Sequence, residues 1–222
     1  MMKSSEKIDI IYEDKDIIVV NKPAGLLTVS TDKEKERTLF HKVYTYIKKK
    51  NKNNKVFIVH RLDKDTSGIV LFAKNENLKF KFQDEWDKLA KERKYIAVVH
   101  GKPEQLKGEI ISWLRETNTL LTYSSFRPGD GKKAITNYRV VTSNSKYSLV
   151  DINLKTGRKN QIRVHMHDIN HPILGDLKYG VKDGFKRMYL HAYKLTICHP
   201  ISGKVMSFEL DIPQEFIKLI QK

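Results

Sequence analysis

Short runs of β-branched and other apolar residues, each closed by Gly, Pro, Asn or Ser, recur along this chain and limit the folds open to it. Near the start, IDIIYEDKDIIVV predicts two strands joined at the polar DKD, and NKPAGLL then predicts a turn. Further strands are predicted in GEIISWL, AITNYRVV, SLVDINLKTG, YLHAYKLTICHP and GKVMSFEL. Because strands mostly follow strands, we expect an α+β fold with a mixed, largely antiparallel central β-sheet and flanking helices.

Helical spacing is confined to a few segments. Leu39, Val43 and Ile47 predict a helix that ends in the polar run KKKNKNN. ENLKFKFQDEWDKLAKERK predicts one apolar helix face before the strand KYIAVVHG. The members of that face are Leu78, Phe82, Trp86 and Leu89. NQIRVHMHDIN and PQEFIKLIQK predict two short helices, and HPILGDLKYG predicts a loop.

The charge of the chain points to its partner. Lys and Arg number 42 against 26 Asp and Glu, which gives a formal net charge of +16. Such a surplus predicts a polyanionic partner, nucleic acid first, although a Lys-rich surface without a specific partner stays open as an alternative.

Length and cysteine content bound the class of protein. The 222 residues predict a single domain over 1–222, with room for two lobes. Cys198 is the only cysteine, which excludes an intrachain disulfide and a CxxC metal site. The sequence has no signal-like start and no apolar run long enough to span a membrane, so we expect a cytoplasmic protein and a monomer.

The segment HRLDKDTSG carries two cations, two carboxylates and a histidine between two strand-like runs. Residues 65–68 have ordinary turn chemistry. Asp63 differs, because it follows the apolar Leu62, which we expect to anchor the loop inward. Cations around a carboxylate favour its ionised form, so Asp63 is a candidate nucleophile, base or electrostatic partner.

Two further segments have side chains suited to RNA. LKTGRKNQIRVHM is rich in hydrogen-bond donors around a Gly turn, which suits phosphates and base edges. Its polar members are Arg158, Lys159, Asn160, Gln161, Arg163 and His165. Tyr95 begins a strand after three charged residues, where an interface or core role is an alternative to a functional one.

Six ordered segments together resemble the RluA family of RNA pseudouridine synthases. They are DIIVVNKPAGLL, VHRLDKDTSGIVLFAKN, ERKYIAVVHG, TGRKNQIRVHM, HPILGDLKYG and LHAYKLTICHPISGK. The resemblance runs from about Asp16 to about Phe208 and implies the pseudouridine synthase fold with an RNA-binding cleft. It begins so near the start that we expect no separate S4 RNA-binding domain. Lys159 and Asn160 stand where many members have Thr-His, which affects local substrate contacts.

The resemblance also implies roles for individual residues. Asp63 is expected to be the essential catalytic aspartate, Tyr95 to stack on the target base, and Arg163 to pair with Asp63. Arg61 resembles the arginine that enters the RNA stack in place of the flipped nucleotide. The other residues expected to contact RNA are His60, Arg158, Lys159 and Gln161.

The implied reaction isomerises uridine to pseudouridine in ribosomal RNA or tRNA, without loss of an atom. We therefore expect no cofactor, no metal and no obligatory protein partner. A carboxylate can assist by adding to C1′, by removing a 2′ proton or by attacking C6, and these routes stay open. Two rivals are a non-catalytic RNA-binding or ribosome assembly factor and a metal-dependent nuclease. For the nuclease, Asp65 would have to join Asp63 in holding Mg²⁺.

Overall fold

The structure is a computed structural model and describes residues 8–32 and 34–221. The strands are β1 (Asp9–Glu13), β2 (Ile17–Lys22), β3 (Phe57–Ile58), β4 (Ser67–Ala73), β5 (Ala90–His100), β6 (Lys107–Glu116), β7 (Thr122–Ser125), β8 (Lys132–Ser143), β9 (Tyr147–Leu154), β10 (Leu190–Cys198) and β11 (Val205–Glu209). The helices are α1 (Leu39–Lys50), α2 (Glu76–Asp84), α3 (Trp86–Leu89), α4 (Gln161–Asp168) and α5 (Gln214–Gln221).

The described residues form two compact units. The first comprises those within Met1–Lys91 together with Leu195–Leu210, and the second those within Glu92–Lys194 and Asp211–Lys222. The single domain that the sequence predicts over residues 1–222 stays a prediction.

The first unit is built on β2 and β4, which pair antiparallel from Ile17 with Ala73 to Lys22 with Gly68. β1 pairs with β2 on one side, and β3 pairs with β4. All seven residues of β4 are buried, which explains why this strand reads as a continuous apolar run. The Thr38 side chain accepts a hydrogen bond from the His41 N–H and so caps the start of α1.

The second unit has the strand order β5-β9-β8-β6-β7, and every neighbouring pair in it is antiparallel. Apolar cores on several elements serve its described residues. One contains Val150 and Ile152 of β9 with Ile162 and Met166 of α4, and another contains Phe216 and Ile220 of α5. α4 and α5 form because each presents apolar residues at helical spacing to one of these cores.

The predicted fold class, α+β with a mixed and largely antiparallel sheet, is confirmed, as are the predicted strands and the helices α1, α4 and α5. The predicted long helix face is wrong in its extent. α2 ends at Asp84, α3 spans only Trp86–Leu89, and β5 begins at Ala90. Because Ala90 is buried in an apolar core with Ile17 and Leu71 of the first unit, strand formation overrides the helix-favouring sequence AKERK.

Two smaller differences concern polar segments. β7, with the sequence TYSS, was not predicted because four residues carry too little apolar pattern. The three lysines of KKKNKNN form the last turn of α1, where the helix dipole favours cations, and only the remainder is a loop. Among residues 8–32 and 34–221, no helix is long and apolar enough to cross a membrane.

Candidate active site

The loop that carries Asp63 is fastened by a buried lysine. Lys22, at the end of β2, is fully buried, and its Nζ donates hydrogen bonds to the carbonyls of Pro23 at 3.0 Å, Leu26 at 2.7 Å and Lys64 at 2.8 Å. The Gly25 N–H also donates to the Lys64 carbonyl at 2.9 Å. Burial of an ammonium group is costly unless it is hydrogen-bonded, so these carbonyls fix the turn and the loop together.

On the other side of Asp63, a threonine holds Leu62. The Thr28 hydroxyl donates to the Leu62 carbonyl at 2.7 Å and accepts from the Leu62 N–H at 3.1 Å. Both residues are buried, which confirms the predicted inward anchor at Leu62. The Thr66 N–H donates to the Asp63 carbonyl at 3.2 Å and closes the turn. The backbone on each side of Asp63 is therefore held by buried groups of NKPAGLLT.

His60, Arg61 and Asp63 of this loop differ in exposure. The His60 ring stacks on Trp86, with ring centroids 4.6 Å apart, and its Nε2 accepts from the Leu71 N–H at 3.0 Å. His60 thus supports the loop, and its contact with RNA stays a prediction. Arg61 is exposed, and Asp63 is half-buried.

Tyr95 lies on β5, where its backbone pairs with Ile152 of β9. The side chain is half-buried and packs against an apolar core of the second unit. Tyr95 and Arg163 belong to the second unit and Asp63 to the first. The pairing of Arg163 with Asp63 and the stacking of Tyr95 on a base both stay predictions.

The turn before α4 is held by a glutamine. Gln161 is 2% exposed, and its Oε1 accepts from the Thr156 hydroxyl and the Arg158 N–H. Its Nε2 donates to the Ile135 carbonyl and the Thr136 hydroxyl. The Gln161 amide therefore fixes the TGRKNQ turn against β8, and a contact of this side chain with RNA stays a prediction.

Arg163 is oriented by a carboxylate that the sequence did not single out. Its Nε and Nη2 donate to the two carboxylate oxygens of Asp176, each at 2.7 Å, and its Nη1 donates to Asn160 Oδ1 at 3.1 Å. The guanidinium lies 5.0 Å from the centre of the Tyr179 ring. Arg163 is 8% exposed and Asp176 1% exposed, so this bidentate pair is well shielded from solvent.

The charge of Asp176 depends on this pair. Burial raises the pKa of the Asp176 carboxyl, but the hydrogen bonds and positive charge of Arg163, with the N–H groups of Tyr179 and Lys178, outweigh burial and lower the pKa below its ordinary value. Asp176 is therefore ionised at neutral pH and holds the Arg163 fork in one orientation.

A buried histidine lies on the same helix. His165 Nδ1 is 2.8 Å from the Thr136 hydroxyl, and Nε2 is 2.9 Å from the Ser112 hydroxyl. Desolvation lowers the pKa of His165 to about 4. The neutral ring therefore bonds α4 to β6 and β8, which explains why two polar residues of α4, Gln161 and His165, point into the unit rather than at solvent.

Arg158 and Lys159 line a groove of about 480 Å³ in the second unit, together with Arg115 and Lys132. Arg158 Nε donates to the Lys133 carbonyl at 3.0 Å, and the ammonium of Lys159 pairs with Glu116. Both cations thus lie on a concave surface rich in positive charge. Within the part of the chain that the structure describes, no group of three or more His, Cys, Asp or Glu side chains is arranged to hold a metal ion.

The residues that hold the Asp63 loop and Arg163 in place have no clear signal in the sequence. From the sequence, Lys22 is only part of the predicted NKPAGLL turn, Thr28 lies just beyond it, and Asp176 is only part of a predicted loop. One weak signal was present: Asp176 is the single acidic residue of HPILGDLKYG. The first unit therefore holds a fixed loop that carries a carboxylate, the second unit holds an oriented arginine, and the chain as a whole is strongly basic. Positive charge of this kind suits a polyanionic substrate.

Comparison with known proteins names the family. RNA pseudouridylate synthase is the family description that matches residues 16–168. An uncharacterized RNA pseudouridine synthase of Mycoplasma genitalium is 36% identical over 214 residues, which is 95% of this chain and 68% of that protein. Ribosomal large subunit pseudouridine synthase D of Zymomonas mobilis is 34% identical over 94% of this chain and 70% of its own length.

The fold agrees with that family. The solved structure of human RNA pseudouridylate synthase domain containing 4 superposes with a TM-score of 0.77 at 22% identity and covers 94% of this chain and 90% of the human chain. This chain belongs to the RNA pseudouridylate synthase family. The RluA-family resemblance is confirmed, and with it the class of enzyme, an isomerase that makes pseudouridine in RNA.

Proposed function

We propose that this chain isomerises specific uridines in structured RNA, ribosomal RNA or tRNA, with Asp63 as the essential carboxylate. The observation that carries the proposal is the fastening of the Asp63 loop. Leu62 and Lys64, its two neighbours, are bonded to the buried groups Thr28 and Lys22. A catalytic group acts well only when its surroundings restrict its position, and this loop supplies that restriction.

Three further residues take the roles that the family resemblance implies. Arg163 is the cation that pairs with Asp63 and places an opposite charge beside the carboxylate. Its orientation by Asp176 supports this role, because a guanidinium has five donors and can serve a second acceptor. Tyr95 stacks on the extruded base, and the exposed Arg61 fills the gap left in the RNA stack.

The reaction breaks the N1–C1′ glycosidic bond, turns the uracil and forms a C5–C1′ bond. C5 loses its proton and N1 ends with one, so atoms and electrons balance without a cofactor. Asp63 assists by adding to C1′, by removing a 2′ proton or by attacking C6, and each route uses the ionised carboxylate. The target base leaves its stack at a cost of about a few kcal/mol, which stacking on Tyr95 offsets.

Large-subunit ribosomal RNA is the first substrate to test. The Zymomonas mobilis relative, 34% identical over 94% of this chain, has the large ribosomal subunit in its name. Transfer RNA is the second. The predicted RNA contacts of Arg158 and Lys159 belong to this proposal, since the groove that they line suits phosphate oxygens.

Tritium release tests the proposal. RNA labelled with tritium at uridine C5 is prepared from cells that lack this gene, separated into large-subunit ribosomal RNA and tRNA, and incubated with the purified chain. We expect release from one fraction, little release from the same RNA of cells that carry the gene, and no effect of EDTA. No release from either fraction would count against the proposed substrates.

A further inference from the structure

A groove of about 620 Å³ lies between β1 and α1 of the first unit. Its floor is apolar, formed by Ile8, Ile10 and Leu26, each half-buried. Its rim is basic and aromatic, and it consists chiefly of Arg37, His41, Lys42, Tyr46 and Lys49. Glu36 is the one acidic side chain in the described lining. The groove therefore combines an apolar floor with a strongly positive rim.

Local sequence patterns explain both halves of the groove. Ile8 and Ile10 lie two positions apart and share one face, while the register with β2 shifts between Ile10 and Tyr12. On α1, the buried residues Leu39, Val43 and Ile47 face the core. The neighbouring helix face carries Lys42 and Lys49, seven positions apart and so two turns along the same side of the helix.

The side chain of buried Lys22 connects the floor of the groove to the candidate catalytic loop. Lys22 Nζ donates to the carbonyl of Leu26, in the groove floor, at 2.7 Å and to the carbonyl of Lys64, next to Asp63, at 2.8 Å. The backbone from 26 to 28 is also bonded to the start of α1, since the Leu39 N–H donates to the Leu27 carbonyl at 2.8 Å. The groove floor and the Asp63 loop are thus fastened to each other within the first unit.

We propose that this groove holds a single-stranded segment of the substrate RNA that flanks the target uridine. The inference rests on the proposed function, because it takes the ligand to be the same RNA. Base faces are flat and apolar and fit the isoleucine and leucine floor, while Lys42, Lys49 and Arg37 meet the phosphates. The volume lies within the range of pockets that hold small organic ligands, so it admits a base with its sugar.

A pair of charge-matched variants tests the groove. Lys42→Gln with Lys49→Gln removes two cations from the rim, and Lys81→Gln with Lys88→Gln removes two from α2 and α3 of the same unit. The probe is a fluorescein-labelled oligouridylate of about 12 nucleotides, which is long enough to cover a single-strand site. Its affinity for each variant is measured by anisotropy between 50 and 200 mM salt, the range over which phosphate contacts weaken strongly.

We expect the groove variant to bind roughly tenfold more weakly at low salt, and its log–log salt slope to fall by about 1.4, since each single-strand phosphate contact contributes about 0.7. The control variant should stay within about twofold of the wild type, because two cations outside the site change only the general field. Equal losses in both variants, or an unchanged slope, would overturn the inference. Thermal melting by circular dichroism checks that both variants fold.

Photocrosslinking of the wild type provides a second readout that does not depend on a variant. An oligouridylate carrying 5-iodouridine is irradiated with the protein, and the linked peptide is identified by mass spectrometry. Linkage within 37–49 supports the groove, and linkage elsewhere alone contradicts it. Tritium release by the wild type separates the two claims. Tritium release without RNA binding in the groove would contradict only this inference, whereas no tritium release would contradict the proposed function.

Discussion

At the scale of single residues, Lys22 holds the Asp63 loop in place. Its ammonium is fully buried and donates hydrogen bonds to three carbonyls. Two of them, of Pro23 and Leu26, lie in the turn after β2, and the third, of Lys64, lies in the Asp63 loop. Lys22→Met keeps the length of the side chain but leaves those carbonyls without this donor. We expect the free energy of unfolding to fall on the order of 3 kcal/mol, because each unsatisfied buried polar group costs about 1–3 kcal/mol. Urea denaturation measures it.

The control for this variant is Lys15→Met, in the exposed turn between β1 and β2. It should change the unfolding free energy by less than about 0.5 kcal/mol, as is usual for surface positions. We further expect Lys22→Met to lower the turnover number for isomerisation more than the affinity for RNA. A Lys22→Met protein with wild-type stability and turnover would show that the loop does not depend on this lysine.

Asp176 is the second residue whose replacement is informative. Asp176→Asn breaks the bidentate pair with Arg163, and removal of one partner of a buried ion pair costs about 3–5 kcal/mol. Folding lowers the pKa of the Asp176 carboxyl, so its contribution to stability is present above the unfolded value of about 3.9 and is lost as pH falls through the folded value. The variant should thus have a lower free energy of unfolding than the wild type at pH 7, and the difference between the two should be smaller near pH 3.

Asp130→Asn provides the matched control, since Asp130 pairs with Arg115 at 2.7 Å on the surface. Exposed pairs contribute about 0–1 kcal/mol, so this variant should unfold almost like the wild type at both pH values. Urea unfolding curves at pH 7 and pH 3 give the comparison. An Asp176→Asn protein with the same stability as Asp130→Asn at pH 7 would contradict a structural dependence of Arg163 on Asp176.

At the scale of elements, the loop before Asp176 depends on a glycine. Gly175 has φ +70°, and a Cβ there would lie 1.9 Å from the Arg187 carbonyl oxygen. Gly184 has φ +78° and nothing within 4 Å of its Cβ position. Both Ala variants incur the strain of a positive φ, about 1 kcal/mol, but only Gly175→Ala also displaces the backbone next to Asp176.

We therefore expect Gly175→Ala to lower the free energy of unfolding by at least about 2 kcal/mol more than Gly184→Ala, because a clash with backbone forces a shift of packed structure. Turnover should fall in the first variant and stay near wild type in the second. Differential scanning calorimetry and the tritium assay measure the two effects. Equal effects of the two substitutions on stability and turnover would contradict this prediction, because they would show that the loop accommodates the Cβ at position 175.

Some secondary-structure elements could be predicted from the sequence alone, and others could not. Helix α4 was predictable in part because Ile162 and Met166 lie four positions apart, and β4 because its run is continuously apolar. The partner of Arg163 was not, because Asp176 lies in a loop without periodic pattern, and only tertiary structure brings the two side chains together. The change from helix α3 to strand β5 at Ala90 was likewise decided by burial in tertiary structure rather than by local preference.

At the scale of the whole molecule, the net charge of +16 predicted a polyanionic partner, and the family confirms that the partner is RNA. Charge alone has no base specificity, because contacts to phosphates position an RNA without reading its sequence. The roles proposed for Asp63, Tyr95 and Arg163 rest on the motifs that resemble the RluA family. The hydrogen bonds that hold their surroundings came from the structure.

The central claim is that one carboxylate of HRLDKDTSG performs the chemistry, and the loop itself offers the control. Asp63→Asn removes the charge from the proposed catalytic residue, whereas Asp65→Asn removes the same charge from an exposed turn residue two positions away. Affinity for RNA should remain in both variants, because neither carboxylate attracts phosphates.

Tritium release from C5-labelled RNA under single-turnover conditions distinguishes the two variants most directly. We expect Asp63→Asn to reduce the rate at least about a thousandfold, which corresponds to about 4 kcal/mol of transition-state stabilisation. Asp65→Asn should release tritium within about threefold of the wild type, as expected of an exposed turn residue outside the proposed catalytic set. Release by Asp63→Asn at near the wild-type rate would contradict the assignment of Asp63 as the catalytic carboxylate.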